Sequence, residues 1–263
     1  MTDFNSFQAR WQLGFDDVLN SLKDDRSLSK GERTRWALLA SASNCLVERP
    51  REPLTVEAVI APLSVARGTF YKYFDDVQDI VRSVVDEFHR YVWKSPRFRE
   101  LFENKFEVAY ATNLYLCRSF ALNGGLYTAR TTAADGTIAA LHEKVNADWS
   151  QVVLRSLLKA ELPVTLQSQK DALGVIRILI AMVDESLNEH FVRKDKTMRR
   201  AFRDADALAR GLTLIWCTVL YGRSPSAEET ANVDAHPFFA RPGKRTAHAK
   251  AATRHRASPT DAA

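Results

Sequence analysis

The run LTVEAVIAPLSVARGTFYKYF, Leu54 to Phe74, decides how the rest of the chain is read, because it holds two short helical segments with a tight break between them. In the first, Val56, Val59 and Ile60 recur at i, i+3, i+4, and Thr55 stands where an N-cap hydroxyl accepts from the first free amides. Pro62 stops that segment, since it has no N–H to offer and its ring clashes with the preceding turn. The second segment starts near Val65. Its Val65, Phe70 and Phe74 can bury, which leaves Arg67, Thr69, Tyr71, Lys72 and Tyr73 on the outside. Two helices of this size joined by a turn of about 3–4 residues form a helix-turn-helix, whose second helix enters the major groove of DNA.

Working outward, Ser29 followed by Glu32 has capping-box spacing, so a helix is expected from Lys30 through Trp36, Leu38, Leu39, Ala42 and Leu46, ending before Pro50. Arg26, Lys30, Arg33 and Arg35 gather about its start, where they either meet phosphates or stay solvated. Upstream, Phe4, Phe7, Trp11, Phe15, Val18 and Leu22 make an apolar stripe with acidic residues opposite, an additional amphipathic helix interrupted by Gly14. Its net charge of −2 over residues 1 to 29 disfavours a minor-groove arm and points to packing on the protein's own body or a partner subunit.

Downstream, the pattern is helical throughout. Asp75 to Trp93 carries Val77, Ile80, Val81, Val84, Val85, Phe88 and Val92, and Ser95-Pro96 ends it. Aromatic residues at helical spacing fill Phe98 to Leu122, with Asn123-Gly124-Gly125 placed as a C-cap. A further helix is expected from Thr137 to Lys159, and two more, the most apolar, over Gln167 to His190 and Thr197 to Tyr221. No stretch between 98 and 222 reads as a strand. From Gly222 onward, Pro, Ala, Ser and Thr with scattered charge read as a disordered tail, apart from docking by Phe238-Phe239.

A chain of 263 residues with 46% hydrophobic content can bury a large core, and its net charge of +5 is mild. Residues 30 to 73 hold 7 positive and 4 negative side chains, so the basic excess of the N-terminal half lies on the helix-turn-helix side. That suits a few positioned DNA contacts and excludes a nonspecific nucleic-acid coat. Cys45, Cys117 and Cys217 lie far apart in apolar runs, as buried reduced thiols of a cytoplasmic protein do. The N-terminus lacks the order of a signal peptide, and the apolar runs are too short and interrupted to span a bilayer, so no membrane partner is expected.

No enzyme constellation emerges: no His or Cys pair at metal-ligand spacing, no glycine-rich phosphate loop, no nucleophile elbow. Neither a catalytic residue nor a cofactor is expected. Asp184-Glu185 with Glu189 could hold a metal, but a solvated or capping cluster fits better, and no metal site is expected. The basic run Arg193, Lys194, Lys196, Arg199, Arg200 and Arg203 reads as a solvated face.

The order Val65-Ala66-Arg67-Gly68-Thr69-Phe70-Tyr71-Lys72-Tyr73-Phe74, following Leu54-Thr55-Val56-Glu57-Ala58, resembles the DNA-binding signature of TetR-family transcriptional regulators. The resemblance covers about Lys30 to Val85. Ser64 stands where that family has a turn glycine, Ala66 where it has a capping serine, and Val77, behind Asp75 and Asp76, where it has a phosphate-contacting lysine. Together with the periodicity, the resemblance implies an all-α fold with a three-helix DNA-binding domain (29–74) and a helical effector-binding and dimerisation domain (75–222), flanked by the extra N-terminal helix (1–28) and the disordered tail (223–263) read above from periodicity and composition. It implies a homodimer whose last two helices pair with their symmetry mates, acting as a repressor on a palindromic double-stranded operator under control of a small-molecule effector. Carried onto this sequence, Arg67 and Thr69 would approach base edges and Gly68 would let the helix backbone come close to the DNA. Thr55, Tyr71, Lys72 and Tyr73 would hold phosphates. Tyr110, Asn113, Cys117 and Trp149, polar or polarisable on apolar faces, are candidates for an effector pocket or are ordinary core residues. The rival from another class is a helical small-molecule-binding or scaffold protein whose helix-turn-helix no longer reads specific DNA.

Overall fold

The capping box at Ser29 forms as its spacing requires: the Ser29 hydroxyl accepts from the Glu32 amide at 3.2 Å, and the Glu32 carboxylate accepts from the Ser29 amide at 2.8 Å. This start belongs to a computed structural model that describes residues 14–50, 52–93, 104–132, 136–158, 169–235 and 239. Among them there are eleven α-helices and no strand, so the fold is all-α. In chain order these are α1 (Phe15–Lys23), α2 (Lys30–Glu48), α3 (Val56–Ile60), α4 (Arg67–Phe70), α5 (Val77–Trp93), α6 (Lys105–Thr132), α7 (Gly136–Leu158), α8 (Gln169–Leu187), α9 (Lys196–Ala201), α10 (Ala205–Tyr221) and α11 (Ala227–Ala235). A 3-10 turn over Ala61–Leu63 follows α3, and a π-helical turn over Asn188–Arg193 follows α8.

Two helices organise the packing. α2 lies against α1, α3, α5 and α6, and α6 in turn lies against α2, α5, α7, α10, α11 and the π turn. One contiguous set of buried side chains therefore runs from Phe15, Leu38 and Leu39 through Val59, Phe70, Phe74, Ile80 and Phe88 to Tyr110, Leu114 and Leu212. A second set, Leu154, Ala172, Ile176, Leu179 and Leu220, joins α7, α8 and α10.

Four features depart from the expectations of periodicity and composition. Asn123-Gly124-Gly125 does not cap a helix: α6 runs through it, with only Asn123 leaving helical geometry at φ −126°, ψ 21°. The glycines serve close approach, since an ideal Cβ on Gly125 would lie 1.9 Å from the Leu46 carbonyl oxygen, and one on Gly124 3.0 Å from Val192. Gly14 does not interrupt a helix within the described residues. It is the N-cap of α1, and because it has no side chain, the Asn123 carboxamide takes its place and accepts from the Phe15 amide at 3.0 Å. Phe4, Phe7 and Trp11 lie outside the described residues.

Third, Thr197 to Tyr221 is two helices. Phe202 and Arg203 break it, Asp204 caps α10 through the Ala207 amide at 2.9 Å, and the Phe202 ring packs on Gly211. Fourth, Ala227–Ala235, inside the stretch read as tail, is helix. Ser226 and Glu229 form a reciprocal capping box, Arg223 grips the Glu229 carboxylate with both Nη atoms at 2.7 and 2.8 Å, and Val233 is buried. Arg223 and the Ser226 amide hold the Glu229 carboxyl at a pKa of about 2. Phe239 docks edge-on to Tyr110, with ring centroids 5.0 Å apart, whereas Phe238 lies outside the described residues.

Candidate nucleic-acid interface

The five residues of α3 are too few to hold themselves, and their ends are tied from both sides. Thr55 adopts extended backbone and accepts from the Ala58 amide at 3.2 Å. At the other end, where a helix leaves carbonyls without partners, α2 supplies donors: Ser41 Oγ reaches the Val59 carbonyl at 2.7 Å and the Cys45 thiol reaches that of Ala58 at 3.6 Å. Burial pushes the Cys45 thiol up, so it stays protonated and able to donate. Cys117 and Cys217 are also free and buried, and burial pushes Cys217 up to about 11.

The turn then closes on Ser64 at φ 53°, ψ 37°, a left-handed conformation that costs a non-glycine residue about 1 kcal/mol. α4 begins at Ala66 without a side-chain cap, as the alanine there implies. What holds this four-residue helix is its apolar underside. Phe70 and Phe74 are buried with ring centroids 5.8 Å apart, and Arg35 lies over the Phe74 ring at 5.5 Å. Arg35 is thereby engaged in packing, whereas Arg26 and Lys30 are exposed.

On the outer side, Thr55, Arg67, Gly68, Tyr71 and Lys72 are exposed, and Thr69 and Tyr73 are half-buried. The seven residues singled out from the sequence thus lie on one two-helix unit. Arg67 does not stand free. Its Nη1 meets the Glu57 carboxylate at 2.8 Å and its Nη2 donates to the Tyr71 hydroxyl at 3.2 Å, with the guanidinium 5.8 Å from the Tyr71 ring centre. Tyr71 and then Glu57 raise the Arg67 pKa, so its charge is permanent. Periodicity carries no sign of Glu57 as a partner, because the two residues lie on different helices.

Gly68, like Gly136 and Gly174, is a helical glycine with open space at its Cβ position. Its φ is not positive, and a Cβ added to it would meet nothing within 4 Å. Glycine in a helix costs up to about 1 kcal/mol relative to alanine, and among the described residues no close approach at Gly68 requires it. Beyond Phe74, Asp76 accepts from the Asp79 amide at 2.8 Å and Asp79 accepts from the Asp75 amide at 3.1 Å, so these carboxylates cap α5. Val77 is half-buried beside Leu54 against Val81, Val85 and Ile138.

The four residues proposed to line an effector pocket are placed differently. Tyr110, Asn113 and Cys117 share the face of α6 that meets α10 and are buried. Tyr110 stacks at 6.3 Å from Phe106 and sits under Arg210 at 5.1 Å, and burial pushes its phenol up to about 12. Asn113 donates to Thr213 Oγ1 at 3.0 Å. These three behave as core. Trp149 is half-buried on α7, which packs mainly on α8. Of the acidic residues weighed for a metal, Glu185 and Glu189 both bond Arg193, and among the described residues no group of three His, Cys, Asp or Glu side chains could hold one. No described helix is long and apolar enough to cross a membrane. A scan against protein-family models finds no match to the chain, and a search of curated proteins finds no relative.

Proposed function

We propose that this chain is a DNA-binding transcriptional regulator, a dimeric repressor of the TetR kind, with α4 as its recognition helix. The observation that carries the reading is the outer surface of the Thr55–Tyr73 unit. It presents one cation of permanent charge, a second in Lys72, hydroxyls at Thr55 and Tyr71, and a glycine with open space at its Cβ position among the described residues, all mounted on a side fixed by Phe70 and Phe74. Arginine reads guanine through two donors, hydroxyls and lysine hold phosphates, and a bare backbone lets the duplex come close.

Dimerisation is supported by a second observation. On α8, Ile178 is 70% exposed beside exposed Gly174 and Ala181, and on α10 Leu214, Ile215 and Val219 are exposed at helical spacing. Apolar faces on two neighbouring helices match the seam of a four-helix bundle formed with a second copy. A two-fold dimer would set its two recognition helices on half-sites about one helical turn, 34–36 Å, apart. Control by a small-molecule effector rests on the resemblance alone, since Tyr110, Asn113 and Cys117 are taken up in packing.

Selection of bound fragments from random duplex DNA tests the reading. Recovery of a palindrome with that half-site spacing supports it. Retention that only follows salt, with no sequence enriched, favours a helical protein that no longer reads DNA.

A further inference from the structure

We infer that Glu57 is a specificity-determining positioning residue: it holds Arg67 so that the remaining donors of the guanidinium meet one guanine in each half-site. The inference rests on the reading of α4 as a recognition helix and adds a residue to it from the preceding helix. Both partners are about three-fifths exposed, at 62% each, so their 2.8 Å contact lies in water. Exposed pairs of this kind contribute little to folding, which leaves the stability of the chain with no need for it.

What the contact does is fix a long side chain that would otherwise sample many rotamers. Arg67 is held at two corners, by Glu57 through Nη1 and by the Tyr71 hydroxyl through Nη2. A guanidinium carries five N–H donors. One donor spent at each of those nitrogens leaves Nε–H and one N–H on each Nη, and a bidentate contact to guanine O6 and N7 requires two. The clamp therefore does not exhaust the side chain. It lowers the ordering cost that a free arginine meets on binding, which is how preorganised contacts gain affinity.

The carboxylate has a second effect. Glu57 stands on the same outer surface as Thr55, Tyr71 and Lys72, the groups assigned to phosphates. A negative charge there opposes any docking in which the backbone slides over it, so Glu57 weakens binding to random DNA while it sharpens binding at one base pair. Both effects raise the ratio of specific to nonspecific affinity, the quantity that matters in a genome.

The test starts from the site that the wild-type chain selects from random DNA. If none is selected, the DNA reading itself falls. With a site in hand, affinities for all four base pairs at each position are measured for wild type, Arg67→Ala, Glu57→Ala and Glu57→Gln, at two salt concentrations. Arg67→Ala is expected to lose a guanine preference of about 5- to 100-fold at one position per half-site. Glu57→Ala should lose part of that same preference, up to about fivefold, which is what an exposed ion pair can supply, leave other positions unchanged, and bind random DNA more tightly. Glu57→Gln, whose carbonyl still accepts from Nη1, should keep the preference and gain the random-DNA affinity. Melting curves should coincide for all four proteins. A Glu57→Ala profile equal to wild type at every position, or shifted evenly at all positions, overturns the inference while leaving the DNA reading in place. A sharper guanine preference in Glu57→Ala also overturns it, because Glu57 would then be competing with the base.

Discussion

Gly125→Ala adds one methyl group where α6 crosses α2, and the structure sets both the sign and the size of its effect. The new carbon would lie 1.9 Å from the Leu46 carbonyl oxygen, 2.6 Å from the Leu46 carbonyl carbon and 2.7 Å from Val47 Cα, all of them backbone. A carbon–oxygen contact settles at about 3.3 Å, so the two helices must part by roughly 1.4 Å. No side chain can rotate out of the way. Opening a packed seam by that amount forfeits much of its dispersion energy, and overpacking of this kind costs about 3 kcal/mol. Alanine returns about 1 kcal/mol through its better helix propensity, leaving a net loss of about 2 kcal/mol. In a chain of this size that lowers the thermal midpoint by roughly 4–8 °C, read by far-UV circular dichroism. Gly68→Ala, measured without DNA, is the control: it too lies inside a helix, with nothing within 4 Å of its added carbon, and should raise the midpoint slightly. A Gly125→Ala protein melting at or above wild type would refute the close approach of α2 and α6.

Four further outcomes are expected. Ser64→Gly relieves the left-handed strain at φ 53° and should stabilise by about 1 kcal/mol in urea unfolding. Tyr71→Ala removes an exposed phenol that touches Arg67 and the edge of Phe70, so site affinity in a fluorescence-anisotropy titration should fall about tenfold while the melting midpoint stays put. Ile215→Asp places a charge on the exposed stripe of α10 and should yield monomers in sedimentation velocity if α10 lies in the subunit contact. The Glu229 carboxyl is depressed in the folded chain from 4.5 to about 2, so its stabilising pair with Arg223 is complete above pH 4.5 and lost as pH falls toward 2. Hydrogen exchange in α11 should accelerate across that window, and an Arg223→Gln variant should keep only the weaker pH dependence owed to the Ser226 amide.

Much of the local structure was legible because it depends on neighbours in sequence. Ser29 with Glu32, Thr55 with Ala58, and the burial of Phe70 and Phe74 all follow from helix periodicity and from unpaired amides at helix starts. The left-handed turn at Ser64 was legible only through the family resemblance, which places a glycine there. The helix after 223 was missed although Ser226 and Glu229 carry the same capping spacing as Ser29 and Glu32, because a composition rich in Pro, Ala and Ser outweighed a two-residue signal. The pairing of Glu57 with Arg67 had no such signal, being made between two helices whose relative placement depends on Ser41 and Cys45 of a third.

The sequence by itself determined that the chain is helical, where most helices begin, and which residues of Leu54 to Phe74 face outward, since each depends on residues within a turn or two. Only the tertiary structure decided the meaning of Asn123-Gly124-Gly125, which local rules read as an end and packing uses as a crossing. An absent side chain is equally suited to a left-handed cap and to a close approach, and the choice belongs to what lies opposite. Here that is the backbone of Leu46 and the amide of Phe15, the latter 108 residues away in the chain.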